Sequence, residues 1–186
     1  TLLLVVLLLA PALIVVAAVF ALDRLVFPLP VEKLTRPHAR FVYSRDRQLL
    51  AAFASRDLFW RRPVELTRIS PRLIESVIAS EDRWFYYHPG VNPVSLLKAA
   101  WDNARAGRVV RGGSTLTMQI ARMIEPKERT VASKLVEILR AFQLELRYSK
   151  DELLAFYFNL VPYGGNIEGV GAATHFYFDK EPAQLT

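Results

Sequence analysis

Two glutamates stand out by what surrounds them. Leu73, Ile74, Val77 and Ile78 recur at helical spacing, and counting three and four residues on from Ile78 and Val77 arrives at Glu81. A carboxylate thus continues an apolar face, and Asp82 follows it at once. Partial burial and a like-charged neighbour both disfavour the ionised form, which is the tuning a general base needs near neutral pH. A helix-end cap or ion pair is the plainer alternative. Glu137 has Lys134 three residues before it and Arg140 three after, a spacing that a solvated ion-pair ladder explains by itself. Arg111-Gly112-Gly113-Ser114-Thr115 sets flexible backbone ahead of a helix start, where free N–H groups attract anions. No Gly-Lys-Ser/Thr follows, so it is not a P-loop, and a simple helix cap accounts for it equally well.

Other patterns carry no chemistry. Ser95-Leu96-Leu97-Lys98 has the S-x-x-K form of penicillin-recognising enzymes, but no Lys-Thr-Gly accompanies it and helical spacing explains it. His38, His88 and His175 lack ligand spacing, so no zinc site is expected.

The elements that must position these groups are mostly helices. Ser70-Pro71 caps and opens a first helix, Asn92-Pro93 a second that stops near Gly107, and Ser114 is a candidate cap for a third. Thr130 starts a longer helix with the stripe Val131, Leu135, Ile138, Leu139 and Phe142, and Ser149-Lys150-Asp151-Glu152 is a capping box for the next. Earlier, ARFVYS and QLLAAFA flank a polar turn and LFWRRPVEL follows, which predicts a small hairpin extended to three strands. The expected fold class is therefore mainly α with a small N-terminal β element.

Charge is partitioned sharply. No charged residue precedes Asp23, so all 24 basic and 18 acidic residues follow residues 1–22. That uncharged run matches a hydrocarbon core about 30 Å thick and predicts a transmembrane anchor, longer than the apolar part of a cleaved signal peptide. Pro28, Pro30 and Pro37 make 23–39 a stiff connector, leaving 40–186 as one domain. The absence of cysteine excludes a disulfide scaffold and thiolate chemistry. The net charge of +6, carried mostly by arginine, suits phosphate or carboxylate partners and an anionic membrane surface. Nucleic acid would explain the charge too, but no nucleic-acid motif accompanies it, and nucleic acid is not expected as a partner.

Taken together, the segments resemble one family. Glu81-Asp82-Arg83-Trp84-Phe85-Tyr86-Tyr87-His88-Pro89-Gly90 has the E-D-x-x-F-x-x-H-x-G motif of family 51 peptidoglycan glycosyltransferases. Gly112 to Gln119 is similar to its G-G-S-T-I-T-Q-Q motif and Lys134-Leu135-Val136-Glu137 to the end of R-K-x-x-E. Ser149 to Asn159, and Gly169 to Phe178, resemble the fourth and fifth motifs. The run PYGGNIEGVGAA and the pair Met118-Gln119 resemble the 1C branch of the class A penicillin-binding proteins in particular.

The resemblance implies a lysozyme-like helical domain behind one transmembrane helix, on the periplasmic side of a bacterial inner membrane. It implies lipid II and the growing glycan strand as partners, alongside the membrane and other cell-wall synthesis proteins. Glu81 would take the proton of the acceptor hydroxyl, and Glu137 would assist pyrophosphate departure directly or through a divalent cation (Mg or Mn). Arg122 and Lys134 would offset phosphate charge, while Asp82, Phe85, His88, Ser114, Thr115 and Gln119 would contact substrate. Met118 and Ser133 depart from the motifs; Arg140 or Arg129 would compensate the arginine lost at 133. No transpeptidase segment is recognised, and a fragment of a longer chain is expected. A lysozyme-like glycan-cleaving enzyme and an inactive membrane-bound scaffold are the alternatives.

Overall fold

A computed structural model describes residues 27–46, 48–108, 110 and 112–185. The anchor expected over 1–22 and Arg111 of the glycine-rich run lie outside the described residues. Among the described residues no helix is long and apolar enough to cross a membrane. The chain divides into two units, Thr1–Val31 and Glu32–Thr186, and the second carries the strands and α-helices of the described residues.

The polar turn after Tyr43 folds as predicted into a hairpin of β1 (Arg40–Tyr43) and β2 (Leu49–Phe53), pairing Arg40 with Phe53 and Tyr43 with Leu49. The third strand does not join it. β3 (Trp60–Arg61) pairs parallel with β5 (Ile167–Glu168), which runs antiparallel to β4 (Pro162–Gly164). A buried ion network drives that choice. Arg61 Nε donates to Glu168 Oε1 at 2.8 Å, and Arg36 donates to Glu168 Oε2 at 2.6 Å and to the carbonyl of Met123. Arg61 and Glu168 are both buried, and each has a second partner, Asp57 for Arg61 at 2.8 Å and Arg36 for Glu168, so the four charges form one satisfied network.

Among the described residues five helices begin at or beside the predicted starts, α1 (Pro71–Glu81), α2 (Pro93–Ala106), α3 (Leu116–Ile124), α4 (Val131–Arg147) and α5 (Lys150–Leu160), and a sixth, α6 (Val170–Phe178), follows without a predicted start. Asn92 caps α2 by accepting from Ser95 N, and the Ser149–Glu152 capping box opens α5 as expected. The cap of α3 is Thr115, not Ser114. The core forms around α3, whose Leu116, Met118, Ile120 and Ile124 are buried with Ala141 and Leu144 of α4 and Leu153, Leu154 and Phe158 of α5. Burying each such side chain contributes roughly 1.5–3 kcal/mol.

The predicted stripe of α4 is turned away from this core. Val131, Leu135, Leu139 and Phe142 are exposed, and only Ile138 packs partly against Val91, Met118 and Ala141. The buried face consists of Arg140, Ala141, Gln143 and Leu144.

Candidate active site

Helix α1 ends where Asp82 leaves helical geometry, its N–H still closing on the carbonyl of Ile78 at 3.0 Å. This turn sends two neighbouring carboxylates in opposite directions. Glu81 stays on the surface, and its Oε2 accepts from Gln119 Nε2 of α3 at 2.9 Å. The partial burial expected of Glu81 is not found, because α1 carries no fully buried residue and its apolar face is only half covered.

Asp82 turns inward and is 7% exposed. Its carboxylate accepts from His88 Nε2 at 2.9 and 3.0 Å and from Leu116 N at 3.0 Å. The amide of Leu116 at the start of α3 is therefore already answered by an internal carboxylate, while Gly112 to Thr115 line the cleft. Phe85 is fully buried and His88 nearly so, and both support the turn from below. Gly90 completes it at φ +87°, where an added Cβ would lie 2.8 Å from the Ala141 carbonyl oxygen and from Glu145 Cγ.

Above this turn opens a cleft of about 410 Å³. Glu81, Asp82, Arg83, Trp84 and Lys98 line it together with Gly112, Gly113, Ser114 and Thr115. Gly113 permits the approach of that run to α2, since a Cβ there would meet the Ser95 carbonyl at 3.0 Å and Ala99 at 3.1 Å. Thr115 holds the first motif to the second by donating to the carbonyl of Gly90.

The second glutamate sits in a cationic clamp. Arg122 grips Glu137 with both Nε (2.6 Å) and Nη2 (3.0 Å), and Lys134 donates to Glu137 Oε2 at 2.8 Å and to Ser114 Oγ at 2.6 Å. Burial pushes the Glu137 carboxyl up, but hydrogen bonds from Arg122 and Lys134 and their charges outweigh it and hold the group below the usual glutamate range. Arg122 is raised in turn, first by its hydrogen bond to Glu137. Gln119 and Arg122 stand three residues apart on one face of α3, so a single helix turn touches both glutamates.

Arg140 takes no part in this clamp. It is buried and bonded to Glu125 at 2.8 Å and Gln143 at 2.8 Å, so it does not make up for the arginine absent at 133. Among the described residues no group of His, Cys, Asp or Glu is arranged to hold a metal ion. Both Glu137 oxygens are answered by protein cations, so this donor set does not fit a divalent cation.

Several residues escaped the sequence reading. Lys150 Nζ reaches back from α5 to the His88 carbonyl at 2.7 Å and to Glu145 at 2.8 Å, and Thr117 donates to Glu145 at 2.7 Å. Tyr157 is buried near Glu81; burial first, then the charge of Glu81, pushes its phenol well above the usual range. Trp84 and Lys98 line the cleft at positions that the first motif and the S-x-x-K pattern gave no reason to single out.

Residues 46–186 match the family model described as Transglycosylase. The chain is 46% identical over 177 residues to penicillin-binding protein 1C of Escherichia coli (strain K12), covering 95% of this chain and 22% of that protein. Penicillin-binding protein 1A of Aquifex aeolicus (strain VF5) is 35% identical over 160 residues, 86% of this chain and 22% of the relative. Penicillin-binding protein 1A of Escherichia coli (strain K12) is 40% identical over 147 residues, 78% of this chain and 17% of the relative. The chain thus spans about a fifth of the length of the curated relatives it matches.

Proposed function

Because the chain belongs to the transglycosylase family, we propose that it is a peptidoglycan glycosyltransferase that joins lipid II units into glycan strands on a lysozyme-like helical scaffold. The observation that carries this reading is the pairing made by α3. Its Gln119 holds a free-facing glutamate on the cleft wall, and its Arg122 grips a glutamate bound to two cations.

In this scheme Glu81 accepts the proton of the acceptor sugar hydroxyl. The oxygen attacks the anomeric carbon of the growing strand with inversion, and the bonding pair of the breaking C–O bond leaves with undecaprenyl pyrophosphate. Arg122 and Lys134 take up the charge that develops on that leaving group. Glu137 keeps the two cations paired and aimed before the phosphates arrive, rather than acting as a proton donor, since it is held ionised. Ser114, bonded to Lys134, joins the clamp to the cleft. Phe85 and His88 act through the backbone they support, not through contact with sugar, and Asp82, on the cleft wall, holds His88 and Leu116 in place.

A lipid-linked substrate requires a bilayer within reach. The uncharged run 1–22 would supply the anchor and the basic domain would face anionic headgroups on the periplasmic side, where other cell-wall synthesis proteins are the natural partners. A glycan-cleaving enzyme has no use for the Arg122–Lys134 pair, because it releases no pyrophosphate.

The test is polymerisation of labelled lipid II by the protein and by Glu81→Gln, with circular dichroism as the folding control. Loss of about 10²–10⁴-fold in rate is expected for removal of a general base. Equal polymerisation by both proteins would remove Glu81 from the mechanism, and shortening of preformed strands would replace synthesis by cleavage.

A further inference from the structure

One wall of the cleft has no part in the scheme above. Asp82 and Phe85 both turn inward, and the Phe85 N–H closes on the Asp82 carbonyl at 2.9 Å. The two residues between them are thereby forced outward. The Trp84 indole is 57% exposed and lines the same cleft as Glu81. It is held from its own turn: Tyr87 N–H donates to the Trp84 carbonyl at 2.8 Å, and the Tyr87 ring meets the indole edge-on, 5.7 Å between centroids at 70°.

Exposure by itself does not single this indole out, since Trp101 is 70% exposed; its place on the cleft wall beside Glu81 does. Tyr86 and Tyr87 are exposed as well, but only Trp84 of the three lines the cleft. A pyranose ring offers a face of C–H groups with hydroxyls around its rim. A rigid aromatic plane satisfies the first, while polar groups such as Glu81 and Lys98 in the same cleft satisfy the second.

We propose that Trp84 is the stacking surface for the acceptor sugar, holding its ring so that the reacting hydroxyl faces Glu81. This rests on the glycosyltransferase reading and extends it to a position that the first motif leaves unspecified. The indole sets where the acceptor lies and contributes nothing to the proton transfer, so its loss weakens binding more than turnover.

The experiment is steady-state polymerisation of lipid II by the intact protein in detergent and in liposomes, together with the indole emission difference between wild type and Trp84→Phe. Trp84→Ala is expected to raise KM about ten-fold, the loss of one stacked ring, with kcat changed less than about three-fold. Trp84→Phe should recover most of the loss, and the emission difference should respond to lipid II but not to plain phospholipid vesicles. An unchanged KM, or a fall in kcat alone, would overturn the proposal. So would an equal loss in Leu97→Ala and Trp101→Ala confined to liposomes, since those exposed α2 residues lie outside the cleft and would mark a bilayer contact. If wild type makes no glycan, the glycosyltransferase reading fails first, and the emission response to lipid II still decides whether Trp84 meets the sugar.

Discussion

Replacing Asp82 by asparagine tests how the two motifs are joined. Both carboxylate oxygens contact His88 Nε2, at 2.9 and 3.0 Å, so that nitrogen carries a proton and donates; Oδ2 also accepts from Leu116 N at 3.0 Å. With its oxygen at the Oδ2 position an amide can still accept from Leu116 N, but its NH2 then stands in place of Oδ1, donor against donor, facing His88 Nε2. Histidine can escape only by moving its proton to Nδ1, which is buried and has no partner. The change therefore loses one charge-assisted hydrogen bond, about 1.5–3 kcal/mol, and strands a buried donor at about 1–3 kcal/mol. A combined cost of about 3–4 kcal/mol allows for partial relaxation. In a unit of this size that corresponds to roughly 6–16 °C in Tm. Thermal unfolding of the two proteins, followed by far-ultraviolet circular dichroism in detergent, measures it. A Tm within about 2 °C of wild type would show that Asp82 does not hold α3 to the first motif, and the supporting role assigned to it would fall.

Gly90→Ala forces a side chain into a left-handed backbone and within 2.8 Å of Ala141 O and Glu145 Cγ, so the urea midpoint should drop by an amount equal to about 2–4 kcal/mol; an unchanged midpoint would contradict this packing. Glu137 titrates lower in the folded protein than the ordinary glutamate value of 4.5, so its contribution is present above that value and is lost as pH falls through the depressed one. Melting curves from pH 6 to pH 3 should fall more steeply for wild type than for Glu137→Gln, and parallel curves would count against the clamp.

Much of the site was legible because local signals and motif order agreed. Asn92-Pro93 and Ser149 to Glu152 announce helix starts through the hydrogen bonds they make, and those bonds form as read. Glu81, Ser114, Thr115 and Gln119 do converge on one region, and Arg122 and Lys134 do meet at Glu137. What failed depended on distant partners. The apolar stripe of α4 has helical spacing, but spacing does not say which face a neighbour covers, and α3 covers the other one. Strand β3 pairs with β5 more than a hundred residues away, led there by Arg61 and Glu168, a contact that no local pattern encodes. A motif also names residues without separating those that face substrate from those beneath them. Phe85 and His88 belong to the second kind, and only burial reveals it. Asp82 follows Glu81 at once, but it is buried while Glu81 stays on the surface, a difference that adjacency in the sequence does not show.

The grip of Arg36 has a mechanical side. Its guanidinium joins the segment near residue 36 to Glu168 and to the carbonyl of Met123, in the last turn of α3. Arg122, the residue before Met123, clamps Glu137, and Gln119, one turn earlier, steadies Glu81. Arg36 thus ties its segment to the helix that spaces the two glutamates, beside the covalent path through Pro37 and Ala39 into β1. The stretch leading to Arg36 is therefore pinned to the same helix that holds Glu81 and Glu137, and not left as a loose tether.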